Sequence, residues 1–390
     1  MSWTLKPLAE VADFCLGKML DDKKNRGEAL PYLANINVRW GEFDLENIRE
    51  MRFEHDEMDR YGLKYGDIVM CEGGEPGRCA IWKEPVPGMM IQKALHRIRP
   101  QDSLDYRFLF YSFLHKGRNG GFAPLFTGST IKHLPREKLA KVEIAYPRLE
   151  VQSRIADILS AYDDLIENNL RRMALLEEAA RQLYREWFVR LRFPGHEHTR
   201  ITNRVPEGWE KKTLGNLALI IMGQSPESQH YNEDGEGLPF HQGVTDFGER
   251  FVTHRIYSTA LNRIAEAGDI LCSVRAPVGR LNVTLHKIVI GRGLSALRSK
   301  TGHQSLLLQQ LRGHFFKEDL IGAGAIFASV TKKELAAQEL LEPPVRLKRA
   351  FEEVTVPCDE QLRVLHFQNL QLRAARDLLL PRLMSGEIAV

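Results

Sequence analysis

Between residues 155 and 187, apolar side chains recur at alternating steps of four and three. The positions are Ile155, Leu159, Tyr162, Ile166, Asn169, Met173, Leu176, Ala180, Leu183 and Trp187, nine of ten apolar or aromatic. The positions between them hold most of the Arg, Glu and Asp. An a/d seam of this length predicts a coiled-coil helix. Asn169 either fixes register, as a single buried Asn does, or lies where the seam opens to water. Phe193-Pro194-Gly195 predicts the helix end. A poorer seam runs Phe351, Thr355, Cys358, Leu362, Leu365, Asn369, Leu372, Arg376, Leu379 and Leu383. Pro357 lacks an N–H and predicts a break in that helix; Pro381 and Gly386 mark its end.

Outside the seams the pattern shortens to apolar strands between Gly, Pro and Asp. Asp67-Ile68-Val69-Met70-Cys71, Ala80-Ile81-Trp82, Asp269-Ile270-Leu271-Cys272-Ser273 and Ile288-Val289-Ile290 are of this kind. Helical stretches at 106–115 and 304–316 intervene, so the class is α+β. The order repeats. Gly66-Asp67-Ile68-Val69, followed by Glu75-Pro76-Gly77-Arg78, is matched by Gly268-Asp269-Ile270-Leu271, followed by Pro277-Val278-Gly279-Arg280. Trp3 pairs with Trp209, Ile91 with Ile290, Gly128 with Gly324 and Pro147 with Pro343, at offsets falling from 206 through 202 and 199 to 196. Collinear matches over half a chain mark a duplication.

The boundaries follow: 1–147 first globular part, 148–193 first long helix, 194–343 linker and second globular part, 344–390 second long helix, broken near Pro357, with a tail. A helix of about 35 residues is about 50 Å long. Two of them, related by a pseudo-two-fold axis, would pair as an antiparallel coiled coil. They would act as a ruler between two similar binding surfaces, with roughly one DNA turn a natural setting.

Composition adds limits. A chain of 390 residues with 43% hydrophobic and 27% charged residues is an ordinary globular one. Met1 to Pro7 has no apolar leader and no apolar run approaches 18 residues, which argues against secretion and membrane spanning. Cys15, Cys71, Cys79, Cys272 and Cys358 form no CxxC and read as reduced thiols of a cytoplasmic protein. Net charge is only +3, yet residues 116–141 hold six Lys/Arg against one acid, while 42–59 hold eight acids. A local basic stripe is compatible with DNA, and equally with solvated loops.

Catalytic apparatus is not legible. There is no GxxxxGK[ST], no HExxH and no Asn-Pro-Pro-aromatic motif. Gly322-Ala323-Gly324-Ala325 reads as a turn, and His196-Glu197-His198 as a polar loop. Glu72 and Glu75 have no counterpart in the second copy, so a turn between strands explains both copies better than acid–base chemistry. Arg78 and Arg280, each after a Gly, are candidates for phosphate or base contact, or for a structural ion pair. Ser129, Thr130, Lys132 and His133 lie in the run Phe126 to Leu134; Ser329, Thr331 and Lys332 lie in its counterpart, 322–333. Hydroxyls and cations at a turn entering a helix position phosphates, and equally serve as N-caps.

Trp209 to Leu214, Gly-Asp-Ile-Leu with its trailing Gly-Arg, the Gly-rich loop, the Pro-led helix and the tail Leu380-Pro381-Arg382-Leu383-Met384-Ser385-Gly386-Glu387-Ile388 together resemble the specificity subunit of type I restriction–modification systems, over essentially the whole chain. The resemblance implies two target-recognition domains, each reading half of a split, asymmetric site on double-stranded DNA. It implies spacer helices that dock two methyltransferase subunits, an assembly able to recruit motor–nuclease subunits, and no catalysis or cofactor on this chain. S-adenosylmethionine, ATP and magnesium would belong to the partners. The base-reading candidates are then Gln92, Lys93, Lys132 and His133 in the first domain, and Gln224, Arg275, Arg292 and Lys332 in the second. Ile155, Leu159, Tyr162, Ile166, Asn169, Met173, Leu176, Leu183, Leu362, Leu365, Leu372 and Leu379 would pack the spacer. The rival from another class is a coiled-coil scaffold whose globular halves bind protein; a third is an enzyme acting alone on DNA.

Overall fold

The computed structural model describes residues 3–21, 25–315 and 329–390. It divides into two compact units, Met1–Asn168 with Gln368–Val390, and Asn169–Phe367. Each unit therefore holds one globular part and a portion of both long helices, so the units do not follow chain order.

In unit 1, strands β1 (Ala12–Leu16), β2 (Ile68–Cys71), β3 (Cys79–Ile81) and β4 (Leu95–Pro100) form an antiparallel sheet in the order β1-β4-β2-β3. Helix α1 (Tyr106–Arg118) buries Phe108, Leu109, Phe113 and Leu114 in a core shared with Ile68, Met70 and Ile98. Asp105 caps it, accepting from the N–H groups of Arg107 and Phe108. Unit 2 repeats the plan with β5 (Ala218–Met222), β6 (Ile270–Ser273), β7 (Leu281–Val283) and β8 (Leu294–Ser299), in the order β5-β8-β6-β7, and helix α2 (Gln304–Phe315). Register confirms the offsets: Ile68 faces Ile98 where Ile270 faces Leu297.

The duplicated Gly-Asp-Ile motif has a structural cause. Gly66 and Gly268 take φ of +85° and +88°, where a side chain would be strained. The next residue, Asp67 or Asp269, is 1% exposed and grips Arg99 or Arg298 with two hydrogen bonds of 2.6–2.9 Å. These aspartates tie neighbouring strands together and are not free for chemistry.

The long helices are α3 (Leu149–Tyr184), prolonged by one wide π-type turn over Arg185–Val189, and α4 (Val345–Met384). They run antiparallel within each unit. In unit 1, Ile155 and Leu159 share a core with Leu380 and Leu383. In unit 2, Arg172 donates to Gln361 and Tyr184, Trp187 and Phe188 surround Phe351. Every seam residue anticipated in the sequence is buried or half-buried. Asn169 is only 6% exposed, so the seam does not open to water there. Replacing Leu365, 2% exposed, with alanine is expected to cost about 2–3 kcal/mol, the lower part of the usual range because half-buried neighbours can close in. Thermal denaturation checks it.

Three expectations are corrected. Helix α4 does not break at Pro357, and Pro381 lies inside its last turn rather than at its end. Pro357 is exposed and the carbonyl its N–H would have met belongs to exposed Glu353, which water can serve. Thr355 Oγ1 also donates to the Phe351 carbonyl, 3.0 Å, one turn back. The helix ends past Pro381, with Gly386 at φ +74°. Helix α3 stops at Val189, four residues before Phe193. Among the described residues no helix is long and apolar enough to cross a membrane.

Unit 2 is bound to its spacer by a buried ion network. Glu177 of α3 accepts from Arg250 at 2.6 Å and from Arg312 of α2. Burial alone would raise the Glu177 carboxyl, but the two guanidinium groups outweigh it and hold it below its ordinary value of 4.5. A depressed carboxyl contributes stability above its unfolded value and loses it as pH falls through the folded one. Glu177→Gln should therefore lower Tm strongly at pH 7, with the gap to the unsubstituted chain shrinking below about pH 4. Paired melting curves across pH test this.

Candidate nucleic-acid interface

The loop after β2, Glu72 to Arg78, is the hub of unit 1. The Glu72 N–H donates to Ala94 O at 2.8 Å, and its carbonyl accepts from the Leu134 N–H at 2.7 Å. Its carboxylate lies 3.1 Å from His133 Nδ1. Three loops, 72–78, 92–94 and 127–133, thus meet around one residue. Unit 2 keeps the backbone frame. The Val274 N–H donates to Gly293 O at 2.9 Å and Val330 donates to Val274 O at 2.8 Å. Arg275 bridges Ser329 as Gly73 bridges His133.

Frame and side chains diverge. Where the first unit has Glu72, Gly73 and His133, the second has Val274, Arg275 and Ser329. Arg78 is half-buried, pairs with Glu75 at 2.8 Å and donates to the Asn35 carbonyl at 3.0 Å. Its counterpart Arg280 has Pro277 at the position of Glu75, and is exposed. One copy uses the arginine internally and the other releases it.

Arg78, Thr130 and Lys132 line one open groove together with Trp40, Phe126 and Ile131. Ser129 is exposed on the same loop. Gln92 folds back to accept from the Ala94 N–H at 3.3 Å, and Lys93 is exposed beside it. In unit 2 the Gln224 N–H donates to the Ile290 carbonyl at 2.9 Å, and the next residue, Ser225, donates Oγ to Gln242 Oε1 at 2.7 Å and accepts from the Arg292 N–H at 3.2 Å. Thr331 caps the short helix Lys332–Ala336 through Glu334, the alternative role allowed for it. Lys332 is exposed. The turn 322–325 and the rest of that run up to 328 lie outside the described residues.

Lys93, Lys132, Arg275, Arg280, Arg292 and Lys332 are exposed and make no ion pair among the described residues. Cations without an internal partner are available to phosphates. Sequence reasoning missed Trp40, Ile131 and Gln242. A signal for Gln242 existed: a Cβ on Gly291 or Gly293 would stand about 2.5 Å from it, so Gly-Arg-Gly makes room for its approach.

Residues 2–178 match the family model of the type I restriction modification DNA specificity domain, and the second unit repeats the fold of the first. A putative type I restriction enzyme specificity subunit, MjaX of Methanocaldococcus jannaschii, is 28% identical over 86% of this chain and 82% of its own length. The MjaIX specificity subunit of the same organism is 25% identical over 100% and 94%. Over essentially its whole length the chain is thus similar to specificity subunits of type I restriction systems. A solved structure, the S subunit of the type I restriction–modification system of M. genitalium, superposes with a TM-score of 0.60 at 17% identity, covering 98% of this chain and 96% of that one. That likeness bears on the fold, with its two mixed domains and paired long helices.

Proposed function

We propose that this chain is a type I restriction–modification specificity subunit that binds double-stranded DNA and reads a bipartite, asymmetric site, one half with each unit's three-loop frame. The observation that carries this is the shared frame with different exposed side chains. A common scaffold would present each unit in the same way to its half-site, while the exposed side chains differ, Lys93 and Lys132 in one copy and Arg275, Arg280 and Arg292 in the other, so that their phosphate and base contacts suit different half-sites. The paired long helices fix the gap between half-sites and dock two methyltransferase subunits. The subunit itself is non-catalytic: S-adenosylmethionine chemistry belongs to the methyltransferases, and ATP and magnesium to motor–nuclease subunits where these join, all in the cytoplasm.

Methylation mapping of the host genome with and without this gene tests the reading. A split motif should vanish on deletion and return on complementation. An unchanged set of motifs, together with no DNA retardation by the methyltransferase complex at low salt, would leave the protein-binding scaffold instead.

A further inference from the structure

Asp163 of α3 and Asp359 of α4 stand at the repeat's own offset, 359 − 163 = 196. Their side chains are equally exposed, 29% each. Each accepts from a hydroxyl on the helix of its own globular part: Tyr111 Oη of α1 reaches Asp163 at 2.6 Å, and Ser305 Oγ of α2 reaches Asp359 at 2.5 Å. Both donor residues are buried. Each aspartate also meets an arginine from a further element, Arg376 of α4 for Asp163 and Arg250 for Asp359. Burial pushes the Tyr111 phenol up and Asp163 adds to it, so the hydroxyl stays a donor. The partners differ between copies while the arrangement is the same.

The buried remainder of each seat between globular part and spacer is largely apolar. Phe108, Leu109 and Phe113 share a core with Ile155 and Leu159, and Leu307 and Leu311 with Leu362. Apolar contact is non-directional and resists sliding or small rotation weakly. A charge-assisted hydrogen bond from a buried donor has a fixed distance and angle. We propose that Asp163 and Asp359 are positioning residues: they lock the angle of each recognition domain on its spacer helix and so determine how sharply the subunit discriminates gap length. The proposal rests on the DNA-reading function above. One base pair more or less shifts a half-site by about 3.4 Å and turns it by roughly 35°. A rigid mount pays for that mismatch in full, whereas a loosened one can follow it.

The test uses the full chain assembled with its methyltransferase subunits, and duplexes carrying the mapped motif with the native gap or one pair more or less. Methyl transfer is followed on each. In Asp163→Asn and Asp359→Asn the preference for the native gap should fall by about tenfold, the loss expected for one charge-assisted hydrogen bond. Base preference within each half-site should stay unchanged. Tyr111→Phe and Ser305→Ala remove only the hydroxyl donors and should show the same effect, which covers failure of the carboxylate variants to fold. Gap preference within about twofold of the unsubstituted complex in the folded hydroxyl variants would overturn the proposal, as would an altered base preference. If the unsubstituted complex methylates no split duplex, the DNA-reading function falls first, and this shows in the control alone.

Discussion

Arg250→Ala is expected to destabilise unit 2 by about 3–5 kcal/mol, the scale for removing one partner of a buried ion network. Arg250 is 6% exposed and bridges Glu177 and Asp359, at 2.6 and 2.5 Å. Without it two acids face each other, and Arg312 remains to compensate Glu177 alone. Arg250→Lys keeps the charge but lacks the fork that reaches both carboxylates, so an intermediate loss is expected. Arg250→Met combined with Glu177→Leu should recover much of the stability, because the penalty comes from the stranded charge more than from the broken pair. Calorimetric unfolding of the three variants decides it. A loss below about 1 kcal/mol for Arg250→Ala would mean that water reaches the carboxylates and that the network is a surface one.

That network shows where the sequence was legible and where it was not. The seam is a periodic signal, and each of its positions is anchored by its neighbours at three and four residues, so Ile155 to Trp187 could be placed without a partner in view. The duplication supplied a second, independent reading of every strand, which is why Gly66-Asp67 and Gly268-Asp269 stood out. Asp163, Glu177 and Asp359, by contrast, lie among the charged positions between seam residues, where an acid normally faces water. Only donors distant in sequence make them special, Tyr111 and Arg376 for Asp163, Arg250 and Arg312 for Glu177, and Ser305 and Arg250 for Asp359, and no local pattern encodes that. Pro357 was misread for the opposite reason. The local rule was correct for an isolated helix, but seam packing on both sides outweighs the missing hydrogen bond and ring clash of one proline, about 3 kcal/mol together, at an exposed turn. Arg78 and Arg280 are identical in sequence context at the Gly before them. Their fates separate three residues earlier, at Glu75 and Pro277, which the duplication displayed but could not interpret without the ion pair.

This divergence sets the last expectation. Replacing Arg275, Arg280 and Arg292 together with alanine should reduce the slope of log affinity against log salt by about 2.7, or about 0.9 for each phosphate no longer neutralised. If the electrostatic term is all that changes, binding at 0.15 M salt weakens by about a hundredfold. Arg78→Ala should leave the slope nearly unchanged, because its charge is already engaged by Glu75 and the Asn35 carbonyl; its cost should appear in the thermal stability of unit 1. Fluorescence-anisotropy titrations of the methyltransferase complex at four or five salt concentrations separate the two cases. A slope untouched by the triple substitution would remove these arginines from the DNA surface. An equal fall in slope for Arg78→Ala would mean that DNA displaces Glu75 and that the first copy, too, releases its arginine on binding.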